Sequence, residues 1–283
     1  MIRLSAFADE ISPDLDEQIA VLSSEKIHFL DLRSVENTNV LDLSDAQVAR
    51  IKETLDAHGI GVAAIASPIG KVPIDSSFDE HLHRFERALT LARALQAPFI
   101  RIFSFYPPAN QEGRVDSGPV QPAEYRDEVL RRLREMSSRA RAAGVNLLHE
   151  NEKDIYGDSI ARCVDLLQSC SAPQFQAAFD PANFIQCGQT PYPDAYDALR
   201  PWVQYVHVKD ARPDGSVVPA GEGVAHWPEF LQRLRADGYD GFLSLEPHLA
   251  LAAQYRGFSG PDLFRQASQA LQRLLQRLGW EYA

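Results

Sequence analysis

"YRDEVLRRLREMSSRARAAGVNLLHENE", residues 125–152, holds one full copy of the pattern that decides the fold. From Tyr125 to Ala143 apolar residues recur three and four apart with charges between them, the mark of an amphipathic helix. Gly144 follows, where a helix stops easily because glycine tolerates the left-handed conformation. Val145 to Leu148 then make an apolar run of strand length. The run ends in His149, Glu150 and Glu152, and an ionised group is costly to bury alone. Such an ending is either a solvated loop or a site in which the charges have partners.

The same unit recurs in both directions. Eight apolar runs alternate with helical segments: "IRLSAFA" (2–8), "IHFLDLR" (27–33), "GVAAIAS" (61–67), "FIRIFSF" (99–105), "GVNLLHE" (144–150), "FQAAFD" (175–180), "VQYVHVKD" (203–210) and "GFLSLE" (241–246). Between them stand stretches such as "DLDEQIAVLSSE" and "SDAQVARIKETLDAHG", and Gly59, Gly144 and Gly238 sit where left-handed helix caps belong. With no linker or low-complexity tract, this predicts an α/β fold, one closed (β/α)8 TIM barrel covering residues 1–283 as a single domain. A doubly wound open sheet is the alternative. In a barrel the functional residues sit at the C-terminal ends of the strands, so the residue finishing each run becomes the one to read.

Composition narrows the partners. The net charge is −11, from 39 acidic against 28 basic residues, which repels a phosphate backbone and argues against nucleic-acid binding. Three cysteines, Cys163, Cys170 and Cys187, lack metal-knuckle spacing and predict a reducing, cytoplasmic setting without disulfides. The opening "MIRLSAFADEISPD" reaches acids before a long apolar run can form, and no ~18-residue apolar stretch occurs, so neither a secretion signal nor a membrane span is expected.

The later runs end in Glu150, Asp180, His207 and Glu246. Each alone has an ordinary reading: a helix N-terminal acid, a turn residue before Pro181, a satisfied core histidine, a loop charge before Pro247. On four consecutive strand ends they make an oxygen-rich site for one divalent ion, and the hard carboxylates with no cysteine favour Mn²⁺, Mg²⁺ or Co²⁺ over a structural Zn²⁺. We expect Mn²⁺ first.

"LLHENE", "FDPANF", "YVHVKD", "PAGEG" and "FLSLEPHL", in that order, resemble the sugar-phosphate isomerase/epimerase group with the xylose-isomerase-like TIM barrel. The ketose 3-epimerases belong to it, and endonuclease IV is a distant relative. The resemblance runs from "FADEIS" (7–12) to "EPHL" (246–249). It implies that Glu150, Asp180, His207 and Glu246 hold a single metal, that Glu150 and Glu246 are also the catalytic acid/base pair, and that the substrate is a small carbohydrate: a keto sugar, sugar phosphate or related polyol. One glutamate takes a proton from beside the carbonyl and the other returns it on the opposite face. Two positions depart from the epimerase pattern. Asn183 stands where a histidine is usual, and Arg212 only approximates an arginine that follows the metal histidine. Analogy with related barrels also implies a homodimer or homotetramer.

Further residues are candidates for the substrate. Glu152, two beyond Glu150, returns to the same side of a continuing strand, although a surface loop glutamate reads equally well. Lys209, two after His207, can balance the acids. Lys71 in "ASPIGK" (66–71), Arg101, Phe103 and Tyr106 are candidate walls; an inward arginine suits a phosphate or carboxylate, whereas Phe103 reads more simply as core. Asp9 reads as a helix cap and Glu10 is left open. "GEG" (221–223) offers backbone amides and Glu222 for sugar hydroxyls. "GIGVAA" (59–64) joins a helix to a strand, the reverse of a dinucleotide fingerprint. Beside the isomerase or epimerase stands a metal-dependent dehydratase of a keto-inositol or dehydroshikimate-like compound, in which the same enediolate expels a hydroxyl. A non-catalytic sugar-binding barrel needs the quartet to be idle. An endonuclease is disfavoured because its metal cluster demands more histidines than the eight here.

Overall fold

Each of the eight apolar runs contains one strand of a single parallel sheet, in the computed structural model that describes residues 1–108, 121–170, 172–249 and 259–283. The strands span Arg3–Ala6, Phe29–Leu32, Gly61–Ile65, Phe99–Ile102, Asn146–Glu150, Phe175–Phe179, Val203–Val208 and Phe242–Leu245. Neighbours in sequence pair in parallel from the second to the eighth, and the eighth pairs with the first. The seam between first and second is bridged at Phe7 and Asp31. The sheet is a nearly closed barrel, which excludes the open doubly wound alternative.

The helices form where the sequence places their signals. Ser44 and Gln47 make a reciprocal capping box at the head of Asp45–Ala57, and Gly144, at φ +71°, closes Pro122–Ala143. Gly59 and Gly238 are likewise left-handed, at φ +67° and +76°. The last helix, Pro261–Leu278, buries Phe264, Leu271 and Leu275 against the barrel. Among the described residues no helix is long and apolar enough to cross a membrane.

Inside the barrel, strand alternation stacks side chains in layers that grow more polar upward. At the bottom, the rings of Phe29, Phe99, Tyr205 and Phe242 pack with Ala63, Ala64, Leu148 and Ala178. Two residues further along the second strand, Asp31 accepts hydrogen bonds from Ser5 at 2.8 Å, from the Tyr205 hydroxyl at 2.6 Å and from Ser244. Burial pushes the Asp31 carboxyl up, against these hydroxyls, and drives the Tyr205 hydroxyl well above its ordinary range. One more step of two along the fifth, seventh and eighth strands brings Glu150, His207 and Glu246 to the top layer.

Candidate metal centre

Glu150, Asp180, His207 and Glu246 converge from four consecutive strands, each no more than 2% exposed. One ligand atom from each lies within 4.8 Å of all the others. Asp180 serves two purposes through its two oxygens. Its Oδ1 caps the helix Pro181–Gln186 by accepting from the Asn183 amide at 2.9 Å, so the position that reads as a turn before Pro181 is a helix cap. Its Oδ2 faces the cluster. The two glutamates divide their oxygens in the same way. Glu150 Oε1 lies 3.1 Å from His207 Nδ1 while Oε2 accepts from Arg101 at 3.1 Å. Glu246 Oε2 lies 3.6 Å from His207 Nδ1 while Oε1 accepts from Arg33 at 3.1 Å and stands 3.6 Å from Arg101.

The electrostatics match a site built for a cation. Burial pulls the His207 imidazole down, but the surrounding carboxylates, Glu150 foremost, raise it to about 10. Burial pushes the Glu150 carboxyl up, and His207 with Arg101 outweighs this and lowers it; Glu246 is held well below its usual range against burial by Lys209, His248, His207 and Arg101. Lys209 is desolvated yet raised, by Asp180 and Glu246. Its Nζ stands 2.9 Å from Asp180 Oδ2 as an ion pair out of hydrogen-bond alignment. Buried Asp180 Oδ2 and His207 Nδ1 therefore lack hydrogen-bond partners, and both point toward the centre of the quartet. Three carboxylates and an imidazole with two such orphaned atoms fit a divalent ion.

Above the quartet a cavity of about 190 Å³ is lined by Arg33, Lys71, Arg101, Glu152, Lys209, Glu246 and His248, among others. Of the sequence candidates it brings together Lys71, Arg101, Glu152 and Lys209. Arg101 is buried and committed to Glu150, between the rings of Phe7 and Phe103 at 5.0 and 4.9 Å. Phe103 lies outside the hydrophobic clusters and offers its ring face to two cations, Arg101 and Lys71. Glu10 lies behind the cavity wall, bonded to Arg33 at 2.8 Å and Ser259 at 2.9 Å. Asn183 is buried beneath the wall; its amide donates to Glu150 at 3.2 Å and to the Asn151 carbonyl at 2.9 Å, so it orients a glutamate.

Other expectations are corrected. Asp9 caps no helix. It accepts from Arg33 at 2.7 Å and Ser34 at 2.8 Å, and the first long helix is capped by Asp14. The amides of "GEG" are already taken: Asp210 accepts from Gly221 and Gly223 at 3.0 and 2.9 Å, and from Ala225 just beyond at 3.1 Å, while the Glu222 amide donates to the Pro219 carbonyl at 3.0 Å. Glu222 and Arg212 are exposed and do not line the cavity; Arg212 sits in the turn of a small hairpin that pairs Asp210–Ala211 with Val217–Val218. The sequence reading does not single out Arg33 or His248. The signal for both is alternation, since Arg33 follows Asp31 by two and His248 follows Glu246 by two.

Comparison with known proteins agrees with this architecture. The family model described as xylose isomerase-like TIM barrel matches residues 25–274. A 3-dehydroshikimate dehydratase from Bacillus anthracis is 23% identical over 193 residues, covering 62% of this chain and 65% of its own length. The chain thus spans about two thirds of that relative. A D-tagatose 3-epimerase-like protein superposes with a TM-score of 0.73 at 16% identity, covering 98% of both chains. The IOLI protein, whose crystal structure carries a zinc atom, superposes with a TM-score of 0.75 at 14% identity over 98% of this chain and 99% of its own. At these identities the structural likeness speaks to the fold alone.

Proposed function

The chain belongs to the xylose isomerase-like TIM barrel family, and on that premise we propose that it is a divalent-metal-dependent isomerase or epimerase. Its substrate is a small polyhydroxylated ketone, from which it removes a proton beside the carbonyl. The observation that carries the reading is the division of labour within Glu150 and Glu246. Each turns one oxygen to the quartet and has the other gripped by a guanidinium, Arg101 reaching both.

Glu150, Asp180, His207 and Glu246 would hold the ion, Mn²⁺ in our proposal. Once bound it supplies stabilisation of the negative charge that develops on the ketone oxygen. The chain's own groups do the rest. Glu246 lines the cavity and Glu150 lies in the quartet beneath it, on strands three apart in the ring, so a substrate at the quartet would meet the two carboxylates from different sides. One accepts the proton from carbon and the other returns one, which inverts the centre; return by the same carboxylate to the neighbouring carbon gives an isomer instead. Arg101 and Arg33 fix both carboxylates, and Lys209 offsets the charge of Asp180 and Glu246. Phe7 and Phe103, fully buried beside Arg101, keep water from its flanks.

Incubating the metal-loaded protein in D₂O with a panel of ketoses, keto-polyols and their phosphates tests the reading by proton NMR. Deuterium should enter at the carbon beside the carbonyl. Glu150→Gln and Glu246→Gln should each lower turnover by ~10²- to 10⁴-fold. A Glu246→Gln protein of full activity overturns the two-base assignment. The dehydratase relative favours a second reading, elimination of a β-hydroxyl from the same intermediate. A product absorbing as a conjugated enone, without isomer formation, decides for it.

A further inference from the structure

Among the described residues, four lysine and arginine side chains line the cavity above the quartet, and three are committed to buried acids. Arg33 serves Asp9, Glu10 and Glu246; Arg101 serves Glu150 and Glu246; Lys209 serves Asp180 and Glu246. Lys71 differs. Its Nζ meets Glu152 Oε2 at 2.7 Å across the mouth, where the two side chains are 33% and 22% exposed. An ion pair so open to water contributes only ~0–1 kcal/mol. Among the described residues, Glu152 is otherwise tied only to the amide of its neighbour Lys153. It is a counterion that can leave.

The ammonium is nevertheless held in place. Nζ lies 4.3 Å from the centre of the Phe103 ring, a cation–π contact. The loop beneath it is fixed by His81, whose Nε2 accepts from the Gly70 amide at 3.0 Å, and by the Gly70 carbonyl, which accepts from Phe105 at 3.0 Å. At Gly70, φ is +89° and a Cβ would come within 2.0 Å of the Phe103 carbonyl oxygen, so only glycine lets the loop pack this closely against Phe103. A positioned cation with a weakly held, displaceable partner is the arrangement a bound anion exploits. The cavity, about 190 Å³, is below the ~300 Å³ at which sites for drug-sized ligands begin, which limits the ligand to a small molecule.

We infer that Lys71 anchors an anionic group on the substrate, a carboxylate or a phosphate, and that Glu152 occupies the anchor until that anion displaces it. The inference rests on the reading above in placing the substrate in this cavity, and it narrows the substrate class to small keto-polyols that carry a negative charge away from the reacting carbons.

The test is calorimetric titration of the Mn²⁺-loaded protein with two matched pairs: 3-dehydroshikimate and its methyl ester, and fructose 6-phosphate and fructose. At least one anion should bind tenfold or more tightly than its neutral partner, and which pair responds separates carboxylate from phosphate. Lys71→Met should erase that preference while leaving the neutral partner's affinity unchanged, Lys71→Arg should restore it, and Glu152→Gln should not weaken the anion. Equal binding within both pairs, no binding of either anion, or a preference that survives Lys71→Met overturns the anchor. Deuterium exchange in the same samples keeps the two conclusions apart. A Lys71-dependent preference without exchange or product leaves the anchor standing and sinks the proposed chemistry. Exchange confined to the neutral compounds does the reverse.

Discussion

His81 can hold its loop only while its ring is neutral, because Nε2 accepts the Gly70 amide hydrogen. Burial, with Arg132 and Arg84 nearby, lowers its pKa from 6.5 to about 4. The ring binds its proton more weakly folded than unfolded, so its contribution is complete above pH 6.5 and is lost as pH falls from 6.5 towards 4. The shift corresponds to a loss on the order of 3 kcal/mol. Buried His149 is lowered to about 4 as well and titrates in both proteins, so urea unfolding at pH 7 and pH 4.5 should show a larger loss in the wild type than in His81→Gln, which cannot take up the proton; equal losses in both proteins refute the assignment. Nothing in "HLHRFERAL" announces this role, because the partner is a backbone amide of another loop. The quartet, by contrast, is legible since its members terminate apolar runs. Arg212 shows where carry-over by offset from His207 fails: the count is close, but a tight hairpin turns the side chain outward.

Whole elements are read more securely than loops. Hydrophobic runs show themselves locally, so all eight strands are found; what a loop's amides bond to depends on a distant side chain. "GEG" illustrates this. The loop after the seventh strand closes around the Asp210 carboxylate, which also accepts from Ala211 at 2.8 Å, and a Cβ on Gly223 would lie 2.3 Å from Asp210 Oδ1. Asp210→Ala leaves these amides without an acceptor. At ~1–3 kcal/mol for each buried donor left unpaired, the protein should lose at least ~2 kcal/mol of stability. Hydrogen exchange should accelerate at residues 221–225 and leave the strands Val203–Val208 and Phe242–Leu245 protected. Uniform acceleration across the barrel argues that Asp210 supports the fold at large rather than this loop.

At the scale of the molecule, the barrel interior runs from packed aromatic rings through a hydrogen-bonded Asp31 to a buried cluster of acids. Close-packed lower layers make the upper one rigid, so the quartet cannot spread to relieve its own repulsion. A bound cation would relieve the arrangement, and a ligand that binds only the folded state stabilises it by mass action. At an ion concentration a hundred times the dissociation constant the gain is ~2.7 kcal/mol, which for a chain of this size corresponds to a rise in Tm of roughly 4–5 °C. Addition of Mn²⁺ to chelator-treated protein should produce that rise and EDTA should reverse it. Asp180→Asn is the variant that makes the measurement specific. Asparagine caps a helix as well as aspartate does, so the helix Pro181–Gln186 keeps its start while the quartet loses a charged ligand. The variant should fold and show little response to the ion. An undiminished response in Asp180→Asn, or none in the wild type to Mn²⁺, Mg²⁺, Co²⁺ or Zn²⁺, would mean that the four strand ends are held together for some purpose other than binding a metal.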